Sequence, residues 1–241
     1  MRWGPVEREL RSAGGLLVAG VDEVGRGPLA GPVVACAIIM RPDSATINGV
    51  ADSKVVCASE RERLAHIIFS RAVSWGIGAA SVREIDSLNI YHASTLAIRR
   101  AIQKLRAEPQ HVLIDGKPIR ALGIAHRAVV NGDATCYSIA CASIIAKVTR
   151  DRLMASLGRR YPAYLWERNA GYSTAAHLSA LTSAGATVHH RKSFSPVAKC
   201  QPVSAIASAS AFAPAAASAS SALPDDQLPQ VTPPPPAQLY P

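Results

Sequence analysis

The chain has 241 residues, 49% hydrophobic and 18% charged, and a formal net charge of +9 at neutral pH. That length allows one sizeable domain with a full core or two small ones, and the basic balance favours a polyanionic partner, nucleic acid ahead of an anionic membrane, because no cationic amphipathic anchor stands out. Five cysteines, odd in number and without CxxC spacing, argue against a disulfide framework and read as reduced, mostly buried thiols of a cytoplasmic protein; no signal-like apolar core precedes Asp22, so secretion is not expected.

An apolar run, Leu16-Leu17-Val18-Ala19-Gly20-Val21, reads as a buried strand and stops on two adjacent carboxylates, Asp22 and Glu23. Carboxylates at such a tip need a metal, a cation or solvent to offset their desolvation, and oxygen ligands suit magnesium or manganese. Alternation sends adjacent strand side chains to opposite faces, so joint service to one ion predicts that the strand ends or bends there, as Gly25 would allow. Taken alone, the pair more often marks a solvated turn. Gly25-Arg26-Gly27 then offers backbone amides that a polyanion or a sugar hydroxyl could approach. These glycines do not form a nucleotide-binding loop. Pro28 and Pro32 lead into a second strand over residues 33–40 rather than a helix, and no Gly-Lys-Ser/Thr ending occurs.

Asp52-Ser53-Lys54 forms a polar break before a helical pattern over about residues 59–72, where Ser59 and Glu62 fit a capping box. Residues 73–79 alternate like a third strand. A helix over about 90–105 turns Leu96, Ile98, Ile102 and Leu105 inward and Arg99, Arg100 and Lys104 outward. Residues 112–114 are a short apolar strand ending on Asp115-Gly116, and residues 128–130 form another that leads into Asn131-Gly132-Asp133-Ala134. A helix is expected from Thr135 to about Leu157, with Thr135 as its cap and Asp133 left free. A last helix covers about 174–184, before the basic segment His189-His190-Arg191-Lys192. The order implies a mixed sheet covered by helices.

From Cys200 the sequence is mostly Ala, Ser and Pro, which predicts a disordered tail over 200–241 with polyproline character near its end. Its uncharged stretch, residues 203–223, matches a membrane helix in length but not in composition. Residues 1–199 are expected to form one domain. They hold all 26 Lys and Arg but only 15 of the 17 Asp and Glu, a balance near +11.

Asp115 repeats the setting of Asp22, an apolar strand that stops on a carboxylate, and two such events predict a shared acidic cluster with Asp133 as a further member. Crowded carboxylates repel unless a cation neutralises them. The run Val21-Asp22-Glu23-Val24-Gly25-Arg26-Gly27-Pro28-Leu29-Ala30-Gly31-Pro32-Val33 resembles the opening motif of bacterial ribonuclease HII, the type 2 ribonuclease H family. Asp52-Ser53-Lys54 and Ile85-Asp86-Ser87-Leu88-Asn89-Ile90 are similar to further blocks of that family. Ile114-Asp115-Gly116 and Gly132-Asp133-Ala134 fall where it places its third and fourth carboxylates, and Ser138-Ile139-Ala140-Cys141-Ala142-Ser143-Ile144-Ile145-Ala146-Lys147-Val148-Thr149-Arg150-Asp151 closely matches its helix. The likeness is collinear over about residues 18–197.

The resemblance implies an α/β, ribonuclease H-like mixed sheet flanked by helices, with a small helical C-terminal part. It implies hydrolysis of the RNA strand of RNA-DNA hybrids and incision 5′ of single ribonucleotides in duplex DNA, leaving 5′-phosphate and 3′-hydroxyl ends. Asp22, Glu23, Asp115 and Asp133 would hold two Mn2+ or Mg2+ ions, roughly 3.5–4 Å apart with substrate bound, so that no histidine base is required. Gly25, Arg26 and Gly27 would contact the 2′-hydroxyl, the group that tells RNA from DNA, and Tyr172 would stack under the ribose. Lys54, Lys147 and Arg150 are candidates for phosphate contact, although Lys147 and Arg150, spaced i,i+3 on a helix, equally fit a solvated face. His189 and His190 read as part of a basic surface, with no metal assigned. A monomer without membrane association is the family expectation. Two departures stand out: Arg168-Asn169-Ala170 where a His-Lys pair is common, and Val55-Val56-Cys57 where Lys-Leu-Ser is usual. From the residues alone, another two-metal nuclease or transferase of this fold and a non-catalytic nucleic-acid-binding module remain open; neither needs a ribose-reading loop with a tyrosine.

Overall fold

The computed structural model describes residues 1–200. Five strands, β1 (Val18–Val24), β2 (Val33–Met40), β3 (Ala72–Ala80), β4 (His111–Asp115) and β5 (Arg127–Val129), form one sheet in the order β3-β2-β1-β4-β5. β1, β2 and β3 are antiparallel neighbours, whereas β4 runs parallel to β1 and β5 parallel to β4. The helices are α1 (Pro5–Ser12), α2 (Ala58–Arg71), α3 (Val82–Gln103), α4 (Gly132–Thr135), α5 (Tyr137–Arg160), α6 (Trp166–Asn169), α7 (Ala175–Ala184) and α8 (Ser195–Ala198). This is the mixed sheet flanked by helices expected from the sequence, with a small helical C-terminal part.

β2 is buried along its whole length, because a strand without polar positions must be covered on both faces. Its two faces feed different cores. Cys36, Ile38 and Met40 pack with Leu64 and Ile68 of α2 and Ile144 and Ile145 of α5. Ala35, Ala37 and Ile39 join Ala19 and Val21 of β1 against Ala97, Ile98 and Ala101 of α3. Gly20 lets α5 approach β1 closely: a Cβ there would lie 2.2 Å from the carbonyl carbon of Ser138. A third cluster, Ala30, Met154, Tyr164, Trp166 and Ala180, joins the C-terminal helices to the middle of α5 and to the loop after β1.

Three helix starts depart from expectation. The Ser59–Glu62 capping box does not form, because α2 begins at Ala58 with Cys57 before it and no side-chain cap. The helix expected from about residue 90 is the second half of α3. Its first half starts after Ser81, whose hydroxyl and Glu84 do form a capping box, and Asn89 (φ 66) kinks the helix while its Oδ1 accepts from the amides of Tyr91 and His92. Thr135 is not a cap. It ends α4, and its hydroxyl donates to the Asn131 carbonyl. The first amides of α5 instead meet Glu7, on the unanticipated α1: Tyr137 N at 2.9 Å, Ser138 N at 2.7 Å and the Ser138 hydroxyl at 2.6 Å. The expected disordered tail, from residue 201 on, lies outside the described residues. Among the described residues no helix is long and apolar enough to cross a membrane.

Candidate active site

β1 does not end at its acidic pair. It stays paired with β2 through Val24, Asp22 lying opposite Cys36 and Glu23 opposite Ala35. The expected bend is therefore absent, and the two side chains leave opposite faces. Asp22 takes the α5 face, which its cross-strand neighbour Cys36 shares with Ile144 and Ile145. Asp115 follows Ile114, the partner of Val21 on the parallel strand β4. Alternation puts it on the same face as Leu113, which packs on Ile139 of α5. Asp22 and Asp115 thus stand on one face at the carboxyl ends of two adjacent parallel strands, the edge where open α/β sheets bind ligands.

Asp133 reaches this edge from α4. The Gly132 amide donates to Asp115 Oδ1 at 2.7 Å, tying the start of α4 to the end of β4. Lys54 Nζ lies 3.2 Å from Asp133 Oδ2 and 3.8 Å from Asp52 Oδ1. Glu23, on the other face of the tip, is met by Arg26 Nη1 at 3.2 Å.

The electrostatics are those of crowded, buried acids. Burial, and then repulsion from Glu23 and Asp115, hold the Asp22 carboxyl well above the usual carboxylate range. Burial also raises Glu23 despite the opposing Arg26 guanidinium, with Asp115 adding to the rise. Asp115 is raised by burial and by Asp133. Burial pulls the Lys54 ammonium down, but Asp133, Asp52 and Asp22 outweigh it and hold it above its ordinary value. Among the described residues no three His, Cys, Asp or Glu side chains converge into a ready cation cage. The donor set nevertheless fits a hard divalent ion. It is all oxygen, it is mostly buried, and its members repel one another, a condition that a cation relieves.

The ribose-reading elements proposed from the sequence meet on one surface beside this edge. Gly25 has φ +93 and no room for a side chain: a Cβ would lie 2.1 Å from Arg150 Nε. The Gly27 Cα faces the exposed Tyr172, whose Cε1 would be 3.7 Å from an added Cβ. Asn169 shapes the turn before Tyr172, donating from Nδ2 to the Tyr164 carbonyl at 2.7 Å and accepting the Gly171 amide at 2.8 Å.

Other expectations need correction. Arg150 is neither a phosphate contact nor part of a solvated face. It is fully buried and donates to the carbonyls of Pro32, Ala30 and Ala170 at 2.9–3.0 Å. Lys147, its i,i+3 neighbour, is mostly buried and is held by Asp151 at 2.6 Å. The segment from His189 to Lys192 is not a basic surface either, since His190 and Arg191 are fully buried. Burial, with His177 and His189 nearby, lowers His190 to about 4, so it is neutral at neutral pH. Asp86, in a block quoted for its family likeness, accepts from the Lys192 and Ser193 amides and the Ser193 hydroxyl at 2.7–3.1 Å, fixing that segment. No local pattern announces this link across 106 residues.

Comparison with known proteins gives the family. The family model described as Ribonuclease HII matches residues 19–197. A ribonuclease HII of Granulibacter bethesdensis is 56% identical over 194 residues, 79% of this chain and 88% of the relative. One from Paracoccus denitrificans is 54% identical over 195 residues, 80% of this chain and 91% of the relative. Among solved structures, the ribonuclease H2 from Pyrococcus horikoshii OT3 superposes with a TM-score of 0.64 at 26% identity, covering 76% of this chain and 95% of that one.

Proposed function

The chain belongs to the ribonuclease HII family and is an endoribonuclease of RNA-DNA hybrids, and we propose that Asp22, Glu23, Asp115 and Asp133 carry this reaction with two divalent cations, Mg2+ or Mn2+. The observation that supports this most is the edge formed by β1 and β4, where three carboxyls are raised by burial and mutual repulsion although Arg26 and Lys54 lie close by. Bound there, the ions would supply Lewis acidity toward a phosphate and acidify water at neutral pH.

The chain's own groups do the rest. Asp22 and Asp115 are fixed by strand pairing, and Asp133 is brought to them through the Gly132 amide, so the acidic edge is preorganised. Lys54, with a largely exposed side chain, is placed to meet a phosphate of the scissile strand. The Gly25-Arg26-Gly27 backbone reads the 2′-hydroxyl while the Tyr172 ring lies under the ribose. A deoxyribose would leave the loop's polar groups unpaired, which makes rejection strong. We take residues 1–199 as the catalytic domain, a boundary that the family match ending at residue 197 supports.

The test is cleavage of a DNA duplex carrying one ribonucleotide, with magnesium, manganese or chelator, by the native chain and by Asp22→Asn. The expected result is metal-dependent incision 5′ of the ribonucleotide, lost in the variant. Tight binding without incision would instead favour a binding module, and equal cleavage of all-DNA duplex would favour another nuclease of this fold.

A further inference from the structure

Arg150 and Arg191 are both fully buried, and both spend their donors on main-chain carbonyls. Arg191 donates from Nη2 to Gly25 O at 2.5 Å, from Nη1 to Arg26 O at 2.9 Å, and from Nη2 and Nε to Gly31 O at 2.8 and 2.9 Å. Arg150 holds Ala30, Pro32 and Ala170 in the same way. Among the described residues neither guanidinium forms an ion pair with a carboxylate. Two buried charges without a direct carboxylate partner, close enough to repel, are a costly way to fasten a loop.

The geometry of the peptide bond gives the arrangement a use. In a trans peptide the C=O and the following N–H point in opposite directions. Drawing the Gly25 and Arg26 carbonyls inward onto Arg191 therefore turns the amides of Arg26 and Gly27 outward, beside Tyr172. Neither amide donates a hydrogen bond within the described residues. A cation on the carbonyl side also polarises each peptide group and strengthens its N–H as a donor. The same clamp reaches the tyrosine: Arg150 holds Ala170, and the Leu29 amide donates to Gly171 O at 2.8 Å.

Resting on the proposed function, we infer that Arg191, assisted by Arg150, is a positioning residue for ribose recognition. It sets the Arg26 and Gly27 amides toward the 2′-hydroxyl without itself touching a nucleotide. Selectivity for ribose then depends on a buried residue on the far side of the loop.

The experiment compares the native chain with Arg191→Lys and Arg150→Lys in steady-state incision of a duplex with one ribonucleotide, using an all-DNA duplex as competitive inhibitor. Lysine keeps the charge but cannot span three carbonyls. Arg191→Lys should raise KM for the ribonucleotide duplex about tenfold or more, the scale of one lost charge-assisted hydrogen bond, and leave Ki of the all-DNA duplex unchanged. Arg150→Lys should move KM the same way by less. KM and Ki moving together, or a lowered melting temperature with neither constant changed, would overturn the inference, because a merely structural role predicts those results.

If Arg191→Lys does not fold, Arg150→Lys and the native chain keep the question open to refutation. The native amide resonances of Arg26 and Gly27 should shift with the ribonucleotide duplex more than with the all-DNA duplex, and equal shifts would overturn the inference. Failure of the native chain to incise would count against the proposed function instead, and the amide comparison would still judge the clamp.

Discussion

Glu7 and Asp22 are both buried carboxylates beside α5, and their surroundings are opposite. Glu7 is wholly enclosed, yet it accepts from the amides of Gly4, Tyr137 and Ser138 and from the Ser138 hydroxyl, at 2.6–2.9 Å. It sits where the first turn of α5 exposes unpaired N–H groups and the positive end of the helix dipole, so donors surround it. Asp22 accepts the adjacent Glu23 amide at 2.7 Å and a hydrogen bond from the Ser143 side chain, and these are outweighed by burial and by the nearby Glu23 and Asp115 carboxylates. Burial of an acid therefore does not by itself mark chemistry. Burial among other acids, with too few donors, does.

Substitution should separate the two acids most sharply in turnover. Asp22→Asn or Asp115→Asn is expected to lower incision of a ribonucleotide-containing duplex by roughly a hundred- to a thousandfold, the range for removing one preorganised electrostatic group. In chelator the same substitutions should raise the melting temperature, because they remove a charge that repels its neighbours. A lowered melting temperature would contradict the assignment of Asp22 to a strained cluster.

Glu7→Ala should do the reverse. It strands several buried donors at the head of α5 and should cost about 3 kcal/mol or more in urea unfolding, while the folded fraction keeps its KM. A divalent cation provides a third contrast. At a hundred times its Kd it should stabilise the native chain by about 2.7 kcal/mol and the Glu7→Ala variant equally, but Asp22→Asn much less. Equal stabilisation of all three would place the ions elsewhere.

The pH dependence should be smaller and opposite to ordinary acid unfolding. Asp22, Glu23 and Asp115 hold protons more tightly folded than unfolded. In chelator their contribution should therefore make the protein more stable as pH falls from above their raised values toward the ordinary carboxylate range near ~4, with no further gain below it. Asp22→Asn should flatten this slope, and an unchanged slope in denaturant titrations across that window would contradict it. The smallest effect is expected from ending the chain after Lys199, which should leave kcat and KM unchanged. A large loss would assign the tail a role in turnover.

β1, β2 and β4 were legible in the sequence because each is an apolar run bounded by a proline or a carboxylate, β3 was legible by its alternation, and β2 and β4 match their expected cores almost residue for residue. Both ends of the acidic edge were readable for the same reason, since Asp22 and Asp115 each interrupt such a run. Arg150, His190 and Arg191 were misread because their residue types are normally exposed, and only distant carbonyl and imidazole partners make their burial possible. The cap of α5 was misassigned to Thr135 because local spacing cannot reveal a carboxylate 130 residues away.

By itself, then, the sequence determined the strands, the carboxylates that close β1 and β4 and the position of the Gly25-Arg26-Gly27 loop, because apolar periodicity and short motifs are local properties of the chain. Tertiary structure alone decided which face each acid takes, which buried groups are satisfied, and that Arg191 aims the loop, because parallel pairing of β1 with β4 and the contacts of residues 25–31 with 170–191 join segments that no local pattern connects.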